Sequence, residues 1–208
     1  DQKFEREPFE NELVVHFNPF QDQEVVKLTQ EAIICGQKDL FAIDCTLIGR
    51  TDTPARKPMG EVWFWVGGIE IGDPDIISLP GIAENELLLT LRWCDCRNDP
   101  ILFYSSTAQS LDVIYAGSYE TLTEVSGTET PWDRFLVCMR PGAYEYLDGW
   151  FTVLLENPGS DTSQLDRFLV RRLGSPDQEV LLPTSLYKEV VNELSAWYRL
   201  KEKTFEAA

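Results

Sequence analysis

The sequence predicts an α+β fold: a largely antiparallel, twisted sheet with a Gly-Gly hairpin, packed by an N-terminal helix, a central helix and a C-terminal helix. Three observations predict it. Glu61–Asp73 holds two extended apolar runs divided by Gly67-Gly68, a dipeptide that readily takes the positive φ of a tight hairpin turn. Ile101–Val170 reads mostly as short strands between turn residues, which is the pattern of a meander. Leu186, Val190, Val191, Leu194, Trp197, Tyr198 and Leu200 form an apolar stripe at helical spacing near the end of the chain, so a helix closes the fold.

The elements follow in order. Asp1–Phe20 is acidic and aromatic, and Phe4, Phe9, Phe17 and Phe20 favour packing over free solvation; Leu13–Phe17 is a candidate short strand. Asp22 suits an N-cap, Val25, Leu28, Thr29, Ala32 and Ile33 recur at helical spacing, and Gly36 suits a C-terminal stop. These residues predict a helix over Gln23–Cys35 within an N-terminal appendage, 1–36, packed on a single main domain, 37–208. Leu40–Ile48 alternates as a strand, and Gly49–Gly60 is a loop with basic residues. The Glu61–Asp73 hairpin follows, its Trp63-Phe64-Trp65 run placing aromatic mass on both faces. The helices around it assign the hairpin to the core rather than to a contact surface. A leucine stripe predicts a helix over Glu84–Trp93, and Asn98-Asp99-Pro100 marks a turn. Strands are predicted at Leu111–Tyr115, Arg134–Met139, Trp150–Leu155 and Asp166–Arg172, and Thr184 or Ser185 can cap the last helix.

The 208 residues are 43% hydrophobic and 12% aromatic, enough for a self-sufficient core. The net charge of -17 repels phosphate backbones and anionic membrane, and favours a basic protein partner. Five cysteines scattered through apolar contexts read as reduced thiols of a cytoplasmic protein rather than a disulfide framework. No basic-then-apolar leader and no bilayer-length apolar run is visible.

No catalytic set emerges. His16 is the one histidine, so a His-rich metal site is excluded and a triad would have to use it. It sits between Val15 and Phe17, a setting that suits a packed side chain. Cys94-Asp95-Cys96 lacks the spacing of a zinc knuckle, although Arg92 and Arg97 nearby suggest a lowered thiol pKa. Gly67, Gly68 and Gly72 have no following Lys-Ser or Lys-Thr and form no phosphate loop. Asp44, Asp73 and Asp75 read as solvated or turn-capping acids. No metal, cofactor or catalytic residue is assigned. Trp132, in the acidic stretch Glu120–Asp133, is the best candidate for an exposed aromatic anchor.

Several segments together resemble a known family. These are Phe41-Ala42-Ile43-Asp44, the hairpin ending in Ile71-Gly72-Asp73, Trp93-Cys94-Asp95-Cys96-Arg97-Asn98, Asp148-Gly149-Trp150, Leu154-Leu155-Glu156 and Asp166–Val170 before the last helix. The arrangement over Leu40–Lys203 resembles the bacterial immunity protein family numbered forty-two, found beside polymorphic toxin genes. The resemblance implies a non-enzymatic cytoplasmic antidote that binds and neutralises one cognate toxin domain. Many such toxins act on nucleic acids and are basic, so acidic surface would steer the encounter. Partner-binding residues are then expected at Glu120, Glu124, Glu129, Trp132 and Asp133, with Tyr144, Glu145 and Tyr146 as a second patch. The alternatives are a non-catalytic interaction or scaffold protein, and a carboxylate-dependent hydrolase, which needs two acids in one pocket. Nucleic acid and membrane are not expected partners, and the oligomeric state is not encoded.

Overall fold

Residues 25–51, 57–72, 79–119, 130–137, 149–159 and 165–207 are described by the computed structural model. In chain order the larger sheet comprises β1 (Val25–Gln37), β2 (Phe41–Thr51), β3 (Pro58–Val66) and β4 (Ile69–Ile71). Three helices follow, α1 (Pro80–Leu91), α2 (Pro100–Tyr104) and α3 (Thr107–Tyr119), then a 3-10 turn at Asp133–Phe135. A smaller sheet comprises β5 (Trp150–Leu155), β6 (Leu165–Arg172) and β7 (Gln178–Pro183), and α4 (Leu186–Ala207) is last. All strand neighbours are antiparallel. The fold is α+β, with two sheets where one was expected.

The two sheets differ in how they are covered. Along β2 and β3 buried and half-buried residues alternate, the signature of a sheet with one face on the core. Phe41, Ile43, Cys45, Val62, Phe64 and Val66 face Ala83 and Leu87 of α1 and Val190, Val191 and Leu194 of α4. Every residue of β5 is buried. Leu154 and Phe168 join that same core, whereas Phe151, Val153, Leu155 and Leu169 pack with Leu102, Leu111, Ile114 and Phe135 in a second cluster. The smaller sheet thus lies between α4 on one side and α2 and α3 on the other.

Four local expectations are overturned. Residues read as the Gln23–Cys35 helix form β1, which runs through Gly36 and pairs with β2 from Val25↔Thr51 to Gln37↔Phe41. Val25, Val26, Thr29, Ile33 and Ile34 are β-branched and suit a pleated strand, and Gly36, at φ 88, opens a turn into β2 instead of ending a helix. Leu111–Tyr115 is helical, within α3. Asp99-Pro100 is a helix start: Asp99 Oδ1 accepts from Ile101 N at 3.0 Å and Leu102 N at 3.1 Å, with Pro100 at the first helical position. Arg134–Leu136 holds a 3-10 turn and one bridge, Leu136↔Val153, in place of a strand. Cys138, Met139 and the Leu13–Phe17 segment lie outside the described residues.

The β3–β4 turn joins the sheets. Gly67 and Gly68 have φ 59 and φ 79, and a Cβ on Gly67 would stand 2.5 Å from Val180 Cγ2 of β7, whereas one on Gly68 would meet nothing within 4 Å. Both alanine substitutions incur the left-handed penalty of about 1–2 kcal/mol. Gly67→Ala also crowds a stiff β-branched neighbour, so its urea midpoint should fall below that of Gly68→Ala. Equal midpoints would show that the turn is not held against β7.

Candidate interaction surface

Cross-strand register fixes what the larger sheet shows on the face away from α1 and α4. Ile34, Asp44 and Trp63 stand opposite one another across β1, β2 and β3. Ala32, Thr46 and Glu61 make the next row, and Trp65 and Glu70 a third in which their neighbour Ala42 is buried. Trp63 and Trp65 are half-buried and Phe64 between them is buried. The hairpin is therefore core on one face only. Ile34 is 51% exposed. Lys38, in the β1–β2 turn, donates to Asp44 Oδ2 at 3.0 Å and lies 4.0 Å from the centroid of the Trp65 ring. The Trp65 indole Nε1 is buried without an acceptor. The face thus combines two indoles and Ile34 with Asp44, Glu61 and Glu70.

Of the residues nominated from sequence, Glu120, Glu124, Glu129, Tyr144, Glu145 and Tyr146 lie outside the described residues. Trp132 and Asp133 share one turn. The Trp132 ring is half-buried, 6.4 Å from that of Phe135, and fills the space beside Gly117 of α3, where a Cβ would overlap it. Asp133 accepts from Thr130 N at 2.7 Å and from the Thr130 hydroxyl at 3.1 Å. The sequence signal for the outer face of the larger sheet was already present: Glu61, Trp63 and Trp65 alternate with Val62, Phe64 and Val66.

Two of the family-resemblance segments, Trp93–Asn98 and Leu154–Glu156, meet in a structural lock. Asp95, at φ 70, and Arg97 donate their backbone N–H groups to the Glu156 carboxylate at 3.1 and 2.9 Å. The Arg97 side chain is fully buried; Nε donates to Arg134 O at 2.7 Å and Nη2 to Thr90 O at 2.6 Å. Its guanidinium lies 5.3 Å from the centroid of the Tyr187 ring, and Nη1 is 3.9 Å from Glu156 Oε1. Cys94 and Cys96 fall in the turn after α1. Burial raises the Cys94 thiol pKa, outweighing the opposite pull of Arg97, so the lowered pKa expected for Cys94 is overturned. Burial also pushes Cys35 up to about 12 and raises Cys45.

Several acids within the fold are occupied by partners. Glu84, 6% exposed, accepts from Ser195 Oγ at 2.6 Å and Arg199 Nε at 2.9 Å. Lys57 pairs with Glu202 at 2.9 Å across the same α1–α4 groove, a cavity of about 330 Å³. Burial raises Asp166, against the lowering effect of the Asn157 N–H bond. Arg167 lowers Glu179 and Arg171 lowers Asp177 through side-chain hydrogen bonds. Those two carboxylates lend stability above the ordinary carboxylate range, about pH 4, which is lost as acid titrates them. Among the described residues no group of three or more His, Cys, Asp or Glu side chains is placed to hold a metal, and no helix is long and apolar enough to cross a membrane.

No family model matches the chain, and no curated protein matches it. Among solved structures, the crystal structure of CdiI from Burkholderia dolosa AUO158 is similar, with a TM-score of 0.56 at 20% identity. The match covers 79% of this chain and 99% of that one. At that identity the likeness is one of fold.

Proposed function

We propose that this chain is an immunity protein that binds a cognate toxin domain in the cytoplasm and neutralises it without catalysis. The observation that carries the reading is the likeness in fold to CdiI, an immunity protein of contact-dependent inhibition, along nearly the whole of that chain. The segments that resemble the immunity protein family numbered forty-two point the same way. The hydrolase alternative needs a pair of acids free to share a proton. The acids lining the α1–α4 groove are instead tied to Arg199 and Lys57.

In this reading the -17 net charge raises the encounter rate with a basic toxin and disfavours anionic competitors. Binding over the toxin's substrate cleft would then block it. Glu120, Glu124, Glu129, Trp132, Asp133, Tyr144, Glu145 and Tyr146 remain proposed contributors.

Co-expression with the toxin domain encoded beside this chain's gene should restore growth. Raising salt from about 50 mM to about 500 mM should cut the association rate by about tenfold or more, because long-range attraction is screened. Toxicity undiminished by the chain would sink the immunity reading. Protection with a salt-independent rate would remove only the acidic complementarity. Tight binding without protection would favour the scaffold alternative.

A further inference from the structure

We infer that the face of the larger sheet away from the described helices, centred on Trp63, is where the basic partner docks, with a lysine or arginine of that partner seated over the indole. The inference rests on the immunity reading for the partner's identity, but its chemistry comes from the face itself. Trp63 stands opposite Asp44 and two residues from Glu61 on the same side of β3, so its ring is flanked by two carboxylates. An aromatic face bordered by acids attracts a cation twice over, through the ring quadrupole and through direct charge. Exposed Ile34, in the same row, supplies the apolar rim that excludes water around such an anchor.

The chain already shows the contact it would make. Lys38 sits over Trp65 at 4.0 Å while paired with Asp44, an internal cation on an indole–carboxylate site. Trp63 offers the neighbouring indole. A second copy of this chain would bring another -17 against the face, and anionic lipid would be repelled in the same way. Charge therefore selects a basic protein.

The test measures affinity of the full chain for the toxin domain encoded beside its gene, in three variants whose effects differ in sign. Trp63→Ala should raise Kd about 30-fold or more, the loss expected of an aromatic hot spot. Glu61→Lys, which leaves the indole and the core in place, should raise Kd by about tenfold and lower the association rate. Lys38→Ala should tighten binding about threefold or more, because it frees Asp44 and Trp65 for the partner's cations. A merely structural role for Lys38 would weaken binding instead. Thermal melts check folding, and Glu61→Lys and Lys38→Ala carry the test if Trp63→Ala unfolds. Wild-type binding with all three affinities unchanged would overturn the docking face and leave the immunity reading standing. No wild-type binding would overturn both. A wild-type homodimer in analytical ultracentrifugation that Trp63→Ala dissolves would overturn the inference by giving the face to a second copy.

Discussion

Arg97→Met loses about 3–5 kcal/mol of folding stability, the scale of breaking a buried ion pair by removing one partner. Four parts of the fold converge on this one fully buried guanidinium: the end of α1 through Thr90 O, the 3-10 turn through Arg134 O, the end of β5 through Glu156, and α4 through the Tyr187 ring. Methionine fills much of the volume but donates nothing, so Arg134 O loses this donor and Glu156 its nearby cation. Urea unfolding measures the loss directly, and heating should show a fall of about 2–4 °C per kcal/mol for a chain of this size. Arg97→Lys should recover only part of it, since a point charge cannot reach both carbonyls in the plane of the guanidinium. A loss below about 1 kcal/mol, typical of an exposed pair, would mean that the site is wet and the lock dispensable.

Phe41→Ala should be comparably damaging, at about 3–5 kcal/mol. Its ring is inaccessible, stacks on Phe168 of the smaller sheet at 5.4 Å and tilts against Tyr187 of α4 at the same distance. One side chain therefore ties both sheets and the last helix into a single core. A double-mutant cycle of Phe41→Leu with Phe168→Leu should give a coupling of about 0.5–1.5 kcal/mol from the ring pair. Additive losses would show that the two sheets are joined by volume alone.

These tethers explain which elements were legible. The β5 and β6 segments and α4 could be read because local pattern and tertiary role agree in them: continuous apolar runs in β5 and β6, and a one-sided stripe in α4. β1 was misread because Val25, Leu28, Ala32 and Ile33 fit a 3.6 period, while Cys35 turned inward and Ala32 and Ile34 outward fit a period of two. Pairing with β2 decides between them, and no local residue announces that pairing. The α2–α3 region was misread for another reason. Asp99-Pro100 serves as turn chemistry or as a helix start, and Leu111, Ile114 and Ser118 lie at helical spacing within a stretch dense in turn signals. The candidate surface was legible in composition but not in location. Trp63 and Trp65 were visible at once, yet among the described residues the helices lie on only one side of the sheet that holds them, and sequence order does not say which strands are covered twice.

The one-sided cover of the larger sheet separates two kinds of inheritance in the chain. Along β2 and β3 every inward residue is bound into a core shared with α1 and α4, while its neighbour answers to no packing partner among the described helices. Drift at Thr46 or Glu61 costs the folded state little. Drift at Ile43, Cys45, Val62 or Phe64 costs it more. Alternate letters of these two strands can therefore be rewritten while the scaffold is carried forward unchanged.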